Sequence, residues 1–214
     1  MNRIATPFLN SKAARALLAA TSLATAAALL AGCAPLLLGG AVIGTGVVVT
    51  DRRTTGMQLE DKTIETKAES RAKDLATLGR INVTSYNRTV LITGEVPGET
   101  ERAAVEKTVT GVENVRAVVN ELVVAPNLTM SQRSNDSLLG AKVKAQLVDA
   151  KDVAANAYRV VAERGVIYLL GRVTEREATR AVEIARAVSG VVKVVRVLDI
   201  ISEEELAAMS GVKK

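Results

Sequence analysis

Two stretches of the chain decide the fold: INVTSYNRTVLITG at residues 81–94 and YRVVAERGVIYLLG at residues 158–171. They align without a gap, 77 residues apart. Apolar residues tend to alternate in both, which is typical of half-buried strands. A polar pair interrupts each stretch, Asn87-Arg88 in one and Arg164-Gly165 in the other, and such pairs are typical of hairpin turns. The pattern predicts a duplicated β-hairpin, which we expect to end at Gly94 and Gly171.

A helix is predicted after each hairpin. Apolar residues recur at helical spacing in Glu99 to Val109 and again in Glu175 to Val188. Gly111 and Gly190 follow these runs and are expected to end the helices. An apolar strand is then predicted in each copy, Val115 to Val124 and Val192 to Ile201.

An amphipathic helix is also predicted before each hairpin. We expect Asp61 to cap the first and Asp136 to cap the second. The apolar stripes are Ile64, Ala68, Ala72 and Leu75 in the first helix, and Leu139, Val143 and Leu147 in the second. Each repeat therefore has the order αββαβ, a three-stranded sheet covered by two helices, in an α+β fold. A core built from about 65 residues is small, so we expect packing between the repeats or against a membrane to add stability.

The N-terminus resembles the export signal of a bacterial lipoprotein. Arg3, Lys12 and Arg15 precede a short apolar run, which ends in Leu30-Ala31-Gly32-Cys33, the pattern of a lipobox. Cys33 is the only cysteine of the chain, so we predict that it carries a covalent lipid. The alternative is an ordinary signal peptide with an incidental cysteine. Ala34 follows in place of the aspartate that retains such proteins at the inner membrane, which favours the periplasmic face of the outer membrane.

These features divide the chain into six segments. They are the signal peptide (1–32), a lipidated tether (33–59), the first repeat (60–124), a polar linker (125–136), the second repeat (137–201) and a C-terminal tail (202–214). Within the tether, Leu36 to Val49 is apolar but short for a membrane span, so we expect it to pack on the first repeat or to lie near the lipid surface. The tail is expected to be a short helix or a solvated end.

Composition argues against an enzyme and against nucleic-acid binding. There is no histidine, which removes the commonest general base and the usual zinc ligands. We expect no cofactor other than the lipid on Cys33. Removing the signal leaves 25 basic and 23 acidic residues, a net charge of +2, so most of the basic excess is discarded. Tryptophan is absent and only four residues are Phe or Tyr, so base-stacking platforms are lacking.

The repeats resemble the BON domain. The resemblance rests on VLITGEV and IYLLGRV in the hairpins, and on V-x-G-V-x-x-V after each second helix. Further matches to lipoproteins with two BON domains are DRRTTG (51–56), RINVTSY (80–86), SND (134–136) and GRVTEREA (171–178). The resemblance covers Asp51 to Ile201. It implies that the second BON domain contacts anionic phospholipid, chiefly through its first helix.

Charge agrees with that implication. Residues 60–124 carry a net charge of −2 and residues 137–201 a net charge of +4, and basic residues favour an anionic bilayer. On the first helix of the second repeat, Leu138 is predicted to insert into the membrane and Lys142 to reach the headgroups. Lys144 and Lys151 are expected to add charge. The alternative is that Leu138 packs into the linker and that the lysines are solvated.

The predicted function is that of an outer-membrane lipoprotein that binds anionic phospholipid and supports envelope integrity. The resemblance also implies enrichment at division sites. The alternative is a periplasmic scaffold, in which sheet edges or the acidic first repeat bind outer-membrane assembly or division proteins or periplasmic clients.

Overall fold

The computed structural model describes residues 51–75 and 78–209, and each repeat has the predicted order of elements. The first repeat contains α1 (Thr55–Lys73), β1 (Arg80–Tyr86), β2 (Thr89–Val96), α2 (Glu99–Thr110) and β3 (Ala117–Val124). The second contains α3 (Met130–Asp149), a 3₁₀ turn (Ala155–Ala157), β4 (Tyr158–Glu163), β5 (Val166–Thr174), α4 (Glu175–Ala187) and β6 (Lys193–Ile201). The tail forms α5 (Glu203–Met209). The predicted α+β fold with two three-stranded sheets is confirmed. The signal peptide, Cys33 and the apolar stretch 36–49 lie outside the described residues.

The hairpin strand β2 or β5 is the centre of each sheet. β1 pairs antiparallel with β2, and β3 pairs parallel with β2 because α2 carries the chain back across the sheet. The second sheet repeats this order with β4, β5 and β6. The outer strands β1, β3, β4 and β6 each leave one edge of a sheet unpaired by any strand of the described residues.

Both hairpin turns have the backbone conformation that the sequence predicted. Asn87 and Arg88 have φ of 49° and 65°, and Arg164 and Gly165 have φ of 52° and 73°. Two consecutive residues with positive φ are the mark of a type I′ turn, whose twist matches that of the strands. The strands, however, continue past the expected ends at Gly94 and Gly171, to Val96 and Thr174.

The two aspartates expected to cap helices have another role. Helix α1 begins at Thr55 and α3 at Met130, capped by the side chains of Thr54 and Thr129. Asp61 therefore lies inside α1, where its carboxylate accepts the turn N–H groups of Asn87 and Arg88, both at 2.8 Å. Asp136 lies inside α3 and accepts those of Arg164 and Gly165, both at 2.9 Å. Each aspartate fastens a helix to its hairpin, and the prediction that they cap helices was wrong.

Three predicted boundaries also differ from the structure. Residues 130–136, assigned to the linker, are the first turns of α3, so the connection between the repeats is 125–129. Helix α1 likewise starts inside the segment assigned to the tether. Gly111 follows the end of α2 as expected, but α4 already ends at Ala187, and Gly190 lies beyond it with φ of 100°.

Each sheet is covered on both faces. One face packs against the helices of its own repeat and forms the two larger cores, around Ile92 in the first repeat and Leu169 in the second. The other faces of the two sheets meet in a third cluster, made by Tyr86, Leu91, Tyr168, Leu170 and Val197. This contact buries apolar area that neither small core would bury alone, and such burial is the main stabilising contribution to folding.

Buried ion pairs border the contact between the repeats. The Arg80 guanidinium hydrogen bonds to Glu163, and the Arg164 Nε lies 3.0 Å from Glu95 Oε1. Arg52, which precedes the first repeat, donates two hydrogen bonds of 2.7 and 2.8 Å to Glu177 of the second. The two repeats are therefore joined by polar as well as apolar contacts.

Candidate functional site

Helix α3 presents one buried face and two accessible faces. Asp136, Leu139, Val143 and Leu147 are buried against the second sheet, as the apolar stripe predicted. Leu138 lies away from that core with 61% of its side chain exposed, and Lys142 follows it by one turn and is also exposed. The alternative that Leu138 packs into the linker does not agree with this exposure.

Lys142 stands between two shallow cavities where α3 meets the end of α4. One cavity, of about 260 Å³, lies towards Leu138, and the other, of about 330 Å³, lies towards Ile184. The first is lined by Asn135, Asp136, Leu138, Leu139, Lys142, Gly165, Ser189 and Gly190. Together the cavities form a groove with a leucine at one end and a lysine at its middle.

Two residues that the sequence did not single out follow α4, Val192 in the loop and Lys193 at the start of β6. Val192 is 80% exposed, and its backbone N–H donates to the carbonyl of Gly165, a residue that lines the first cavity. Lys193 follows it and is exposed. We call Leu138, Lys142, Val192 and Lys193 the docking face. The exposure of Val192 was not predicted, because the four valines on either side of Lys193 are typical of a buried strand.

The cations of the docking face are not neutralised by neighbours. Among the described residues, no carboxylate forms an ion pair with Lys142 or Lys193, whereas Arg180 on α4 pairs with Asp152 and Glu183. A lysine without a partner keeps its charge available for an external anion. The face therefore combines exposed apolar side chains with uncompensated positive charge.

Lys144 does not belong to this face. Its Nζ donates to the carbonyl oxygens of Ala155 and Tyr158, at 2.6 and 2.9 Å. Burial lowers the pKa of the ammonium group, although the nearby carboxylate of Asp51 acts in the opposite direction. Lys144 points away from Lys142 around the helix and holds the 3₁₀ turn, so the expectation that it adds charge to a lipid site is corrected by the structure.

Lys151 is exposed in the turn that follows α3. It lies nine residues beyond Lys142 along the chain, past the end of α3 at Asp149. It lines neither cavity of the groove. Its proposed part in binding is therefore limited to the general positive charge of the second repeat.

Two kinds of feature are absent from the part of the chain that the structure describes. Within residues 51–75 and 78–209, no three His, Cys, Asp or Glu side chains are grouped so as to hold a metal ion. None of the helices in this part of the chain is long and apolar enough to cross a membrane.

Comparison with known proteins decides the family. The family model of the BON domain matches residues 60–126 and 135–202. The chain belongs to the BON-domain family. It is 39% identical over 171 residues to the outer membrane lipoprotein DolP of Haemophilus influenzae, an alignment that covers 78% of this chain and 88% of DolP. The chain is thus a DolP-like protein with two BON domains.

Two further similarities to known proteins are more distant. A 21 kDa hemolysin of Actinobacillus pleuropneumoniae is 32% identical over 152 residues, which cover 70% of this chain and 78% of that protein. Among solved structures, CdsD, a structural protein of the type III secretion system of Chlamydia trachomatis, covers 71% of this chain and is itself covered over 99% of its length. Its TM-score of 0.29 and identity of 12% support no conclusion.

Proposed function

We propose that the protein docks onto anionic phospholipid through the docking face of its second BON domain. The observation that carries the proposal is Leu138, exposed one turn from the unpaired Lys142 at the rim of a groove. A leucine that enters the apolar boundary of a bilayer and a lysine that reaches the headgroups are complementary to the two layers of an anionic membrane surface.

The energetics suit a protein that is already anchored. The identity to an outer membrane lipoprotein places the chain at the outer membrane through a lipid anchor, and we propose Cys33 as its attachment site. Each basic residue near an anionic bilayer contributes about 1 kcal/mol, and a fully buried leucine about 1.5–3 kcal/mol. These small binding free energies are sufficient once the anchor keeps the domain close to the membrane, because docking of the second BON domain is then an intramolecular step.

The consequence would be a lipoprotein that responds to lipid composition. Where anionic lipid is abundant, the second domain docks, and elsewhere it is held by the anchor alone. We propose that this response supports envelope integrity, and that enrichment at division sites follows where such lipids concentrate.

A second candidate function is a scaffold for envelope assembly proteins or periplasmic clients. The observation in its favour is the set of unpaired sheet edges at β1, β3, β4 and β6. An open edge presents backbone groups that can pair with another chain. This function requires no anionic lipid, which separates the two candidates experimentally.

Variants of the docking face test the lipid proposal. Leu138→Glu removes apolar contact and adds repulsion, and Lys142→Glu changes the local charge by two units, a loss of about 2 kcal/mol or roughly 30-fold in partitioning. Added salt should shrink the lysine effect and leave the leucine effect nearly intact, because salt screens charges but not apolar burial. The control is Lys62→Glu on α1, an exposed lysine of the first BON domain.

The measurement is partitioning of the mature chain carrying Cys33→Ser onto phosphatidylglycerol vesicles at low and high salt. We expect both docking-face variants to bind more weakly than the parent and the control to bind equally well. If the control loses binding while the other two do not, the docking face has been assigned to the wrong domain.

A further inference from the structure

A second surface of α3 carries a feature that lipid docking does not use. A cleft of about 760 Å³ lies along a different face of the helix from the one that carries Leu138. Its wall on α3 is formed by Ser137, Gly140, Ala141 and Lys144, and its floor includes Val160 and Ala162 of β4. The opposite wall is formed by Asp51, Arg53 and Tyr86.

The first BON domain shows what normally covers this edge of the sheet. There Glu65 of α1 accepts the backbone N–H of Ser85 at 3.0 Å. Because the Ser85 N–H bonds to a side chain of α1, it does not bond to β2. It points away from β2, towards the free edge of β1. In the first BON domain, a carboxylate of the same domain therefore binds an outward N–H of the edge strand.

The second BON domain lacks that carboxylate. Asp61 and Asp136 both bind a hairpin turn, so they are equivalent, and the residue four places later is Glu65 in α1 but Gly140 in α3. The strand residue equivalent to Ser85 is Ala162 at the offset of 77. Gly140 has no side chain to offer, so the outward N–H of Ala162 faces the cleft with no side-chain acceptor from the described residues.

The outward groups of β4 recur at the spacing of a strand. In an antiparallel pair every second residue directs its N–H and C=O away from its partner strand, so Val160 shares the direction of Ala162. The carbonyl of Tyr158, two residues earlier, confirms it, because this carbonyl accepts a hydrogen bond from Lys144. Lys144 already occupies the Tyr158 carbonyl, so the outward backbone groups that remain for another chain are those of Val160 and Ala162.

The charged groups around the cleft are already bound to one another. Arg53 pairs with Asp51 and Asp61, Asp136 holds the hairpin turn, and Arg159 pairs with Glu65. An ion or a headgroup would find few free charges there. The unsatisfied groups belong to the backbone, and their complement is the backbone of another extended chain.

We propose that β4 accepts an extended polypeptide segment as a fourth strand of the second sheet. The added strand would pair with Val160 to Ala162, a stretch of three residues that spans about 10 Å. Gly140 and Ala141 carry no long side chain that could cover the strand edge, and at Gly140 the helix lies so close to β4 that an added Cβ would be 3.4 Å from the Ala162 Cβ. The cleft is bordered by α3 on one side and by Asp51, Arg53 and Tyr86 on the other, so an extended segment suits it better than the sheet edge of a second folded copy. The protein would then use two different faces of one helix, one for lipid and one for an extended peptide.

The test uses the full mature chain with Cys33→Ser and a synthetic peptide of alternating threonine and valine with a lysine at each end. Strand addition derives its affinity chiefly from main-chain hydrogen bonds, so a generic peptide is a valid probe at millimolar concentration. In an NMR titration we expect the amide signals of Val160 and Ala162 to shift. The same peptide with alternate amides N-methylated should leave them unchanged, because its donors are blocked.

Two variants separate this site from the docking face. Gly140→Glu copies the arrangement of the first domain and should abolish the shifts, and Leu138→Glu should preserve them. Three results would each overturn the proposal: no shift with the unmodified peptide, equal shifts with the N-methylated peptide, or a dimer in the peptide-free protein with the Ala162 amide already protected from exchange. The N-methylated control uses the parent protein, so the conclusion does not depend on how well Gly140→Glu folds.

Discussion

The ion pair between Arg52 and Glu177 gives the most quantitative prediction. Both side chains are almost completely buried, with 7% and 6% of their surface exposed, and Arg52 also donates to the carbonyl of Arg172 at 3.0 Å. Replacing Arg52 by alanine leaves a buried carboxylate that retains only the N–H of Thr174. Breaking a buried pair in this way costs about 3–5 kcal/mol. We expect Arg52→Ala to lower the free energy of unfolding by that amount.

The effect should depend on pH in a defined direction. Burial acts to raise the pKa of Glu177, but the hydrogen bonds from Arg52 and Thr174 outweigh it and hold the pKa below its usual value. A carboxylate with a lowered folded pKa contributes stability above its unfolded pKa, about 4.3, and loses it as the pH falls through the folded pKa. The difference between parent and Arg52→Ala should therefore be full at neutral pH and shrink in acid.

The assay is urea unfolding of the mature chain carrying Cys33→Ser, at neutral pH and in a series below pH 4.5. The double variant Arg52→Ala with Glu177→Gln should lose clearly less than the sum of the single losses, because the two residues act as a pair. A loss below about 0.5 kcal/mol for Arg52→Ala, typical of a surface site, would refute the reasoning. So would a loss that does not change with pH.

Three further predictions follow from the described contacts and from Cys33. Asp61→Ala should lower the free energy of unfolding in urea by about 3–5 kcal/mol, and Asp136→Ala should lower it by less. The reason is that Asp61 also pairs with Arg53, whereas Asp136 binds only the amides of its hairpin turn. Equal losses for the two variants would contradict this. Gly94→Ala should cost more than about 2 kcal/mol by the same assay, because φ is 123° and a Cβ atom would lie 1.9 Å from the Arg80 carbonyl oxygen. Cys33→Ser should abolish acylation. If mass spectrometry of the parent protein shows an unmodified N-terminus that begins at another residue, Cys33 is not the lipid anchor.

The order of the helices and strands was predictable because it depends on patterns among residues that are close together in the sequence. The hairpin turns and the helical stripes depend only on neighbouring residues, and the structure confirms them except at Leu75, which lies beyond the end of α1 and is exposed. The expectation of half-buried strands was wrong for β2 and β5, because the second face of each sheet packs against the other sheet. The starts of α1 and α3 were missed because Thr54 and Thr129 supply caps upstream of the aspartates that the sequence favoured, whereas α2 and α4 begin at Glu99 and Glu175 as predicted. A periodic pattern does not distinguish a cap from a side chain that reaches across to a hairpin.

Contacts between distant parts of the chain were beyond such patterns. Nothing local to Arg52 indicates Glu177, and nothing local to Lys144 indicates that it binds the carbonyls of the 3₁₀ turn. The packing of one sheet on the other was expected only as a general need for stability. Of the candidate site, Leu138 and Lys142 follow from helical spacing, whereas Val192 required the folded loop.

Flotation of the non-acylated mature chain on vesicles tests the central claim most directly. The chain carrying Cys33→Ser is mixed with vesicles of phosphatidylcholine alone or with added phosphatidylglycerol, and the fraction that floats is measured. Anionic lipid recognition by the second BON domain predicts flotation only with phosphatidylglycerol. Equal behaviour with both vesicles would contradict lipid recognition and favour the scaffold.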